Sequence, residues 1–170
     1  LTLQLLEGFV PREMVKLVSS GHPSERYRSI MDGTVDACSA REPWITVAEK
    51  NGCRIILQGF YNGTDTATPD IDADTYAAIN RALTAAVRRI NGNKKGYLHY
   101  FIDLDKSPEV QALRIEDFDL NRILFLEPGT PIPQEHLVRT YEWMVSWNLI
   151  DAGHGIEDLV NTRVMTGASA

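Results

Sequence analysis

Two cysteines in 170 residues leave room for one disulfide at most. Cys38 is expected near the end of one strand and Cys53 near the start of the next. If those strands are parallel neighbours the residues sit at different heights, outside the distance window a disulfide tolerates. Two small packed thiols is the reading that follows. Histidine is as sparse: His22, His99, His136 and His154 stand far apart, and no pair has the helical spacing of metal ligands, so no metal site is expected. No apolar run approaches the ~20 residues a membrane span requires. Positive charge is also short, with 17 Lys and Arg against 23 Asp and Glu and a net charge of −6. The densest basic stretch, Arg88-Arg89 through Lys94-Lys95, reads as a solvated helix end. Nucleic acid is therefore not expected as a partner, since binding phosphates needs a cationic face.

What is present is ordinary for a globular chain, with 44% hydrophobic and 24% charged residues. The length suits one domain, or one and a fraction. No signal peptide is visible. Leu1, Leu3, Leu5 and Leu6 run into Gly8 as the back half of a helix would, which reads as a fragment or a processed chain. Asn62-Gly63-Thr64 matches a glycosylation sequon but reads as a turn.

The pattern along the chain predicts a strand at Met14–Val18, then a helix opened by Pro23 with Tyr27, Ile30 and Met31 on its apolar face. Gly33 closes that helix. A second strand follows at Val35–Cys38, a helix at Pro43–Asn51, a stop at Gly52 and a third strand at Arg54–Gln58. Strand, helix, strand, helix, strand is the signature of parallel βαβ units. Residues 60–72 are turn-rich and read as a connection. A long helix from about Ala73 to Asn91 carries the stripe Tyr76, Ile79, Leu83, Val87 and Ile90. Tyr97–Asp103 reads as helical, Pro108–Asp119 as mixed and mostly exposed, and Arg122–Leu126 as a short strand. Pro128 to Pro133 is a sharp break, after which Leu137, Val138, Tyr141, Met144, Val145 and Leu149 mark an amphipathic helix. Trp143 and Trp147 lie at i, i+4 on it and read as a packing stripe. A last short helix carries Ile156, Leu159 and Val160, and Thr166–Ala170 reads as a disordered tail. The expected organisation is a βαβ part over residues 1–60 and a mainly helical part over 61–170.

The stretch from Tyr27 to Leu57 is specific enough to resemble a family. Gly33, Val35-Asp36-Ala37, Glu42-Pro43-Trp44, Ala48 and Gly52 match, in order and spacing, the substrate-binding proteins of ABC importers. The branch is the one with nitrate-, sulfonate- and pyrimidine-precursor-binding members. The C-terminal Arg139-Thr140-Tyr141-Glu142-Trp143 and Ile156-Glu157-Asp158-Leu159 runs look like the end of the same family. The resemblance implies an α/β fold, a parallel βαβ lobe of the type II periplasmic-binding-protein kind followed by a mostly helical C-terminal segment. It implies capture of a small polar or heteroaromatic molecule in a cleft between two lobes, delivery to an ABC permease, and a periplasmic or lipid-anchored extracytoplasmic location. No cofactor is implied. Family members are longer and two-lobed, so a partner chain or homodimer would cover the interlobe surface of a single lobe.

The expected ligand-binding residues are Cys38, Ser39, Arg41, Glu42 and Trp44, on the turn that leaves the second strand, where open α/β sheets bind ligands. Arg41 favours an anion, but Glu42 sets a full negative charge at the same turn. Like charges at close range repel by a few kcal/mol at ~20 effective dielectric, more than the ~0.3–1 kcal/mol a helix terminus offers. A bare anion is therefore favoured only if Glu42 turns away or is paired. Otherwise a cationic or hydrogen-bond-donating heteroaromatic stacked on Trp44 fits better. Alternatively, Glu42 complements its own helix and Trp44 packs in the core. Asp36 is expected to bond to backbone N–H groups of the adjacent loop. Ser39 either caps the helix or donates to a ligand. Cys38 reads as a packed thiol rather than a nucleophile. No acid–base or nucleophile constellation stands out, so no catalytic residue is expected. Two further functions stay open: an enzyme on the same fold (desulfinase-like or pyrimidine-synthase-like), and a regulator's sensor lobe, for which no helix-turn-helix is visible.

Overall fold

Helix α2 (Pro23–Met31) shows how closely local chemistry sets the boundaries of this chain. Pro23 takes the first helical position, where no N–H is needed. Glu25 Oε2 accepts the His22 N–H at 2.8 Å and His22 Nδ1 accepts the Ser24 N–H at 3.4 Å, so two donors of the first turn are satisfied. At the other end Gly33 has φ 72°. Its N–H donates to Ile30 O at 3.2 Å and that of Thr34 to Ser29 O at 2.9 Å, the paired bonds of a glycine helix stop. Helix α3 (Trp44–Lys50) ends the same way. Gly52 has φ 89°, with Gly52 N–H on Glu49 O at 3.1 Å and Cys53 N–H on Ala48 O at 3.0 Å.

The computed structural model describes residues 2–59, 68, 70–128, 132–153 and 155. Their other helices are α1 (Thr2–Leu6), α4 (Ala73–Gly92), α5 (Lys94–Tyr97), α6 (His99–Leu104), α7 (Pro108–Gln111) and α8 (Gln134–Ser146), with 3₁₀ turns at Arg12–Met14, Ile115–Asp117 and Leu120–Arg122. The chain divides into two compact units, Leu1–Asp65 with Asn93–Leu124, and Thr66–Gly92 with Phe125–Ala170.

The expected parallel βαβ lobe is corrected here: among the described residues there is no strand and no sheet. Arg12–Met14 is a 3₁₀ turn where the first strand was expected to begin. Leu120–Arg122 is another, capped by Asp119, whose carboxylate accepts the Asn121 N–H at 2.9 Å. Residues 16–20, 36–40 and 54–58 form no backbone–backbone hydrogen bond among the described residues. The physical reason is that a short apolar run between glycines does not distinguish a strand from an unpaired segment. Pairing makes a strand, and Ile55 and Ile56 here stay exposed instead of packing on a neighbour.

The first unit holds the core. Tyr27 of α2 meets Trp44 of α3 with ring centroids 5.4 Å apart, and Val47, Leu98, Val110, Leu113, Phe118 and Ile123 complete the buried cluster. Phe101 stacks on Phe118 at 6.0 Å. The segment Pro108–Asp119, expected to be mostly exposed, thus supplies three of these side chains. Its apolar residues fall on short turns, where no helical or alternating period reveals them.

The second unit is built on α4 and α8. Asp72 opens α4 by accepting the Thr75 N–H at 2.8 Å and hydroxyl at 2.7 Å. Near its end Arg88 forms a two-point pair with Glu127, at 2.7 and 2.9 Å. Asn91 Nδ2 donates to Phe125 O at 2.8 Å. The stripe of α4 is as expected, yet Ile79 and Leu83 remain exposed. The rings of Trp143 on α8 and of Trp147, which caps its C-terminus, lie 5.7 Å apart. No helix of the described residues is long and apolar enough to cross a membrane. The expected helix at Ile156–Val160, the tail and Asn62-Gly63-Thr64 lie outside the described residues.

Two substitutions separate packing from backbone conformation. Leu98→Ala is expected to cost about 2–5 kcal/mol, the range for truncating a buried leucine. A Cβ on Gly33 would meet nothing within 4 Å, so Gly33→Ala costs only the left-handed backbone, about 1–2 kcal/mol. Urea midpoints at unchanged m would show both. A Gly33→Ala chain as stable as the parent would remove the role given to that helix stop.

Candidate functional site

The turn expected to carry the ligand runs from Cys38 to Trp44, and its two ends behave differently. At the α3 end, Trp44 is 2% exposed, its ring packed at a tilt of 39° against that of Tyr27. Its Nε1–H donates to Asp105 Oδ2 at 2.9 Å. Both its ring and its polar handle are used inside the unit, which leaves no face for stacking a ligand. Glu42, just before Pro43 and a cis Glu42–Pro43 bond, also turns inward.

The Glu42 side chain is 7% exposed and its partner Arg122 is 8% exposed. Glu42 Oε1 lies 3.2 Å from Arg122 Nε, an ion contact whose atoms are not aligned as a hydrogen bond. Glu42 Oε2 accepts the Thr46 N–H at 3.2 Å and the Thr46 hydroxyl at 2.8 Å. Arg122 Nη1 donates to Glu49 Oε2 at 2.6 Å, and Asp119 stands 4.0 Å from Nε. At 3.2 Å and an effective dielectric of ~20 the attraction is about 5 kcal/mol, similar to the several kcal/mol each ion loses in desolvation. The pair therefore adds little net stability but is expensive to break from one side.

Two more links tie α3 to the returning segment. Lys50 Nζ reaches Asp117 Oδ2 at 2.6 Å. This bond and the Arg114 N–H hold the Asp117 carboxyl below its ordinary value. Burial raises the Asp105 pKa, but bonds from the Ser107 hydroxyl and N–H and from Trp44, aided by the charge of His22, outweigh it and leave Asp105 below the usual carboxylate range.

At the other end the turn faces outward. Ser39 and Arg41 are exposed. Arg26 of α2 donates from Nη1 to Ser39 Oγ at 3.1 Å and from Nε to Gly21 O at 2.9 Å. The Arg41 side chain forms no hydrogen bond or ion pair among the described residues. Cys38 is half-buried, its thiol pushed up first by burial and then by Cys53, with Arg26 opposing, so it is not the activated thiolate a nucleophile requires. Asp36 is exposed, so burial does not force it to find a partner. Among the described residues no group of three or more His, Cys, Asp or Glu could hold a metal ion.

Sequence reasoning missed Arg122, Asp105 and Thr46. The signals were slight: a lone arginine opening the run Ile123-Leu124-Phe125, and a threonine four residues after Glu42. Asp105 carried none. Comparison of the chain with protein-family models, curated proteins and solved structures finds no match.

Thr46→Val keeps the side-chain shape and removes the hydroxyl donor to Glu42, so about 1.5–3 kcal/mol of stability is expected to be lost. The acid response follows from Asp105. Its folded pKa lies below the unfolded value of ~3.9, so its contribution is present above about pH 4 and is lost as pH falls through the folded pKa. Asp105→Asn should flatten the fall of the urea midpoint below pH 4. An equally steep fall in the variant would exclude this role.

Proposed function

We propose that the chain is the solute-capturing part of an ABC-type importer, and that its turn takes a small anionic or otherwise polar solute through Ser39 and Arg41. The observation that carries this reading is the inward rotation of Glu42. An anion beside Arg41 is disfavoured while Glu42 faces it, and here the Glu42 charge is buried against Arg122 instead. The outward part of the turn then offers one free guanidinium, one hydroxyl and, behind the hydroxyl, Arg26. Its sign is positive on a chain whose net charge is −6. The heteroaromatic alternative has less support, because the ring it would stack on is sealed against Tyr27.

The order Gly33, Glu42-Pro43-Trp44, Gly52 supports the family reading locally. Both glycines adopt the positive φ that a helix-stop role requires. The reading does not lean on a parallel sheet, which the described residues lack.

Thermal unfolding with nitrate, short alkanesulfonates, pyrimidines and polyamines tests the proposal. A ligand at 100 times its Kd adds about 2.7 kcal/mol, or several degrees in Tm for a chain of this size. A shift with the sulfonates or nitrate is expected, lost in Arg41→Ala. No shift with any anion, or the same shift in Arg41→Ala, would defeat it.

A further inference from the structure

Arg26, on the N-terminal half of α2, has its guanidinium held at two points. Nε donates to Gly21 O at 2.9 Å and Nη1 donates to Ser39 Oγ at 3.1 Å. A planar fork tied at two of its nitrogens has one orientation, which the single nitrogen of a lysine would not reproduce. Its backbone is placed as firmly: the Arg26 N–H donates to His22 O at 3.1 Å, and the next residue, Tyr27, is buried against Trp44. The helix stop brings the partner to it. After Gly33 the chain doubles back, with the Thr34 and Val35 N–H groups on Ser29 O at 2.9 and 3.2 Å, and this return delivers Ser39 to Arg26.

That contact has one direction. A guanidinium only donates, so Ser39 Oγ accepts, and the hydroxyl keeps its own hydrogen for another partner. Ser39 is exposed, and its hydroxyl donates to nothing among the described residues. A hydroxyl that accepts from a cation is polarised toward donating. We propose that Arg26 is a positioning residue: it holds Ser39 as a hydrogen-bond donor and so restricts the solute to oxyanions that present an unprotonated oxygen, sulfonates among them. This rests on the solute reading of the turn given above. An ammonium brought to the same hydroxyl would face the Arg26 charge 3.1 Å behind it, and no carboxylate pairs that charge among the described residues.

Calorimetric titration of the full chain with methanesulfonate and with nitrate, at constant ionic strength, tests this. Arg26→Met removes both guanidinium bonds and Ser39→Ala removes the hydroxyl. Each is expected to weaken methanesulfonate binding about tenfold, the low end for a hydrogen bond to a charged group. Arg26→Met on top of Ser39→Ala should weaken it little further, because the arginine acts through the hydroxyl. Arg26→Lys keeps the charge but not the two-point hold, and should resemble Arg26→Met. Methylammonium should not bind the parent. If far-UV circular dichroism shows Arg26→Met unfolded, Arg26→Lys with Ser39→Ala completes the same cycle. Losses that add in the double variant, a lysine variant that binds as the parent does, or methylammonium binding would overturn the role of Arg26. Methanesulfonate bound by the parent, lost in Arg41→Ala and unchanged in Arg26→Met would overturn it while leaving the solute reading standing. Neither anion binding the parent would overturn both.

Discussion

The ion contact between Glu42 and Arg122 is the constraint on which the first unit depends. The two charges are distant in sequence and nearly excluded from water, and each stands within two residues of a buried core side chain, Trp44 for Glu42 and Ile123 for Arg122. Neither can be left alone there, because an unpaired buried ion costs several kcal/mol. Arg122 also holds Glu49, one helical turn or so beyond Glu42's partner Thr46, so a single guanidinium grips α3 near both ends. Lys50 on Asp117 and Trp44 on Asp105 extend the grip. Hydrophobic contact between α2, α3 and α7 is non-directional. These polar links give it a register.

That register decides what the turn before α3 shows to solvent. With Glu42 and Trp44 committed inward, Ser39 and Arg41 are left outside, and the Arg41 charge is no longer offset by the Glu42 beside it in sequence. A pair of adjacent opposite charges, read on the page, cancels. Folded, one of them is spent on a residue eighty positions away in the chain, and the other is free to act.

Much of the helical architecture was legible. Gly33 and Gly52 stop α2 and α3 because only glycine enters φ near +72° and +89° without cost. Pro23 opens α2, and the stripe on α4 has the helical period. What was not legible depends on partners distant in sequence. Arg54–Gln58 has the composition of a strand, but a strand exists only as half of a ladder, and no ladder forms among the described residues. The same holds at the site. Glu42 and Trp44 were expected to bind a ligand, with Glu42 complementing its own helix and Trp44 packing in the core as the alternative; both side chains are buried. The residues that satisfy them, Arg122 and Asp105, lie on short irregular turns with no period to announce them. Tyr97–Asp103 was recognised as helical from composition, whereas the buried Val110, Leu113 and Phe118 were hidden by the same irregularity.

A double-mutant cycle on Glu42→Gln and Arg122→Met, followed by urea unfolding, tests the central claim most directly. Each single change is expected to cost about 3–5 kcal/mol, because it strands the other charge. The double variant should cost less than their sum by a coupling of about 1–3 kcal/mol. Additive losses would contradict the account, since they would mean that the two side chains do not hold each other and that Glu42 is free to turn outward.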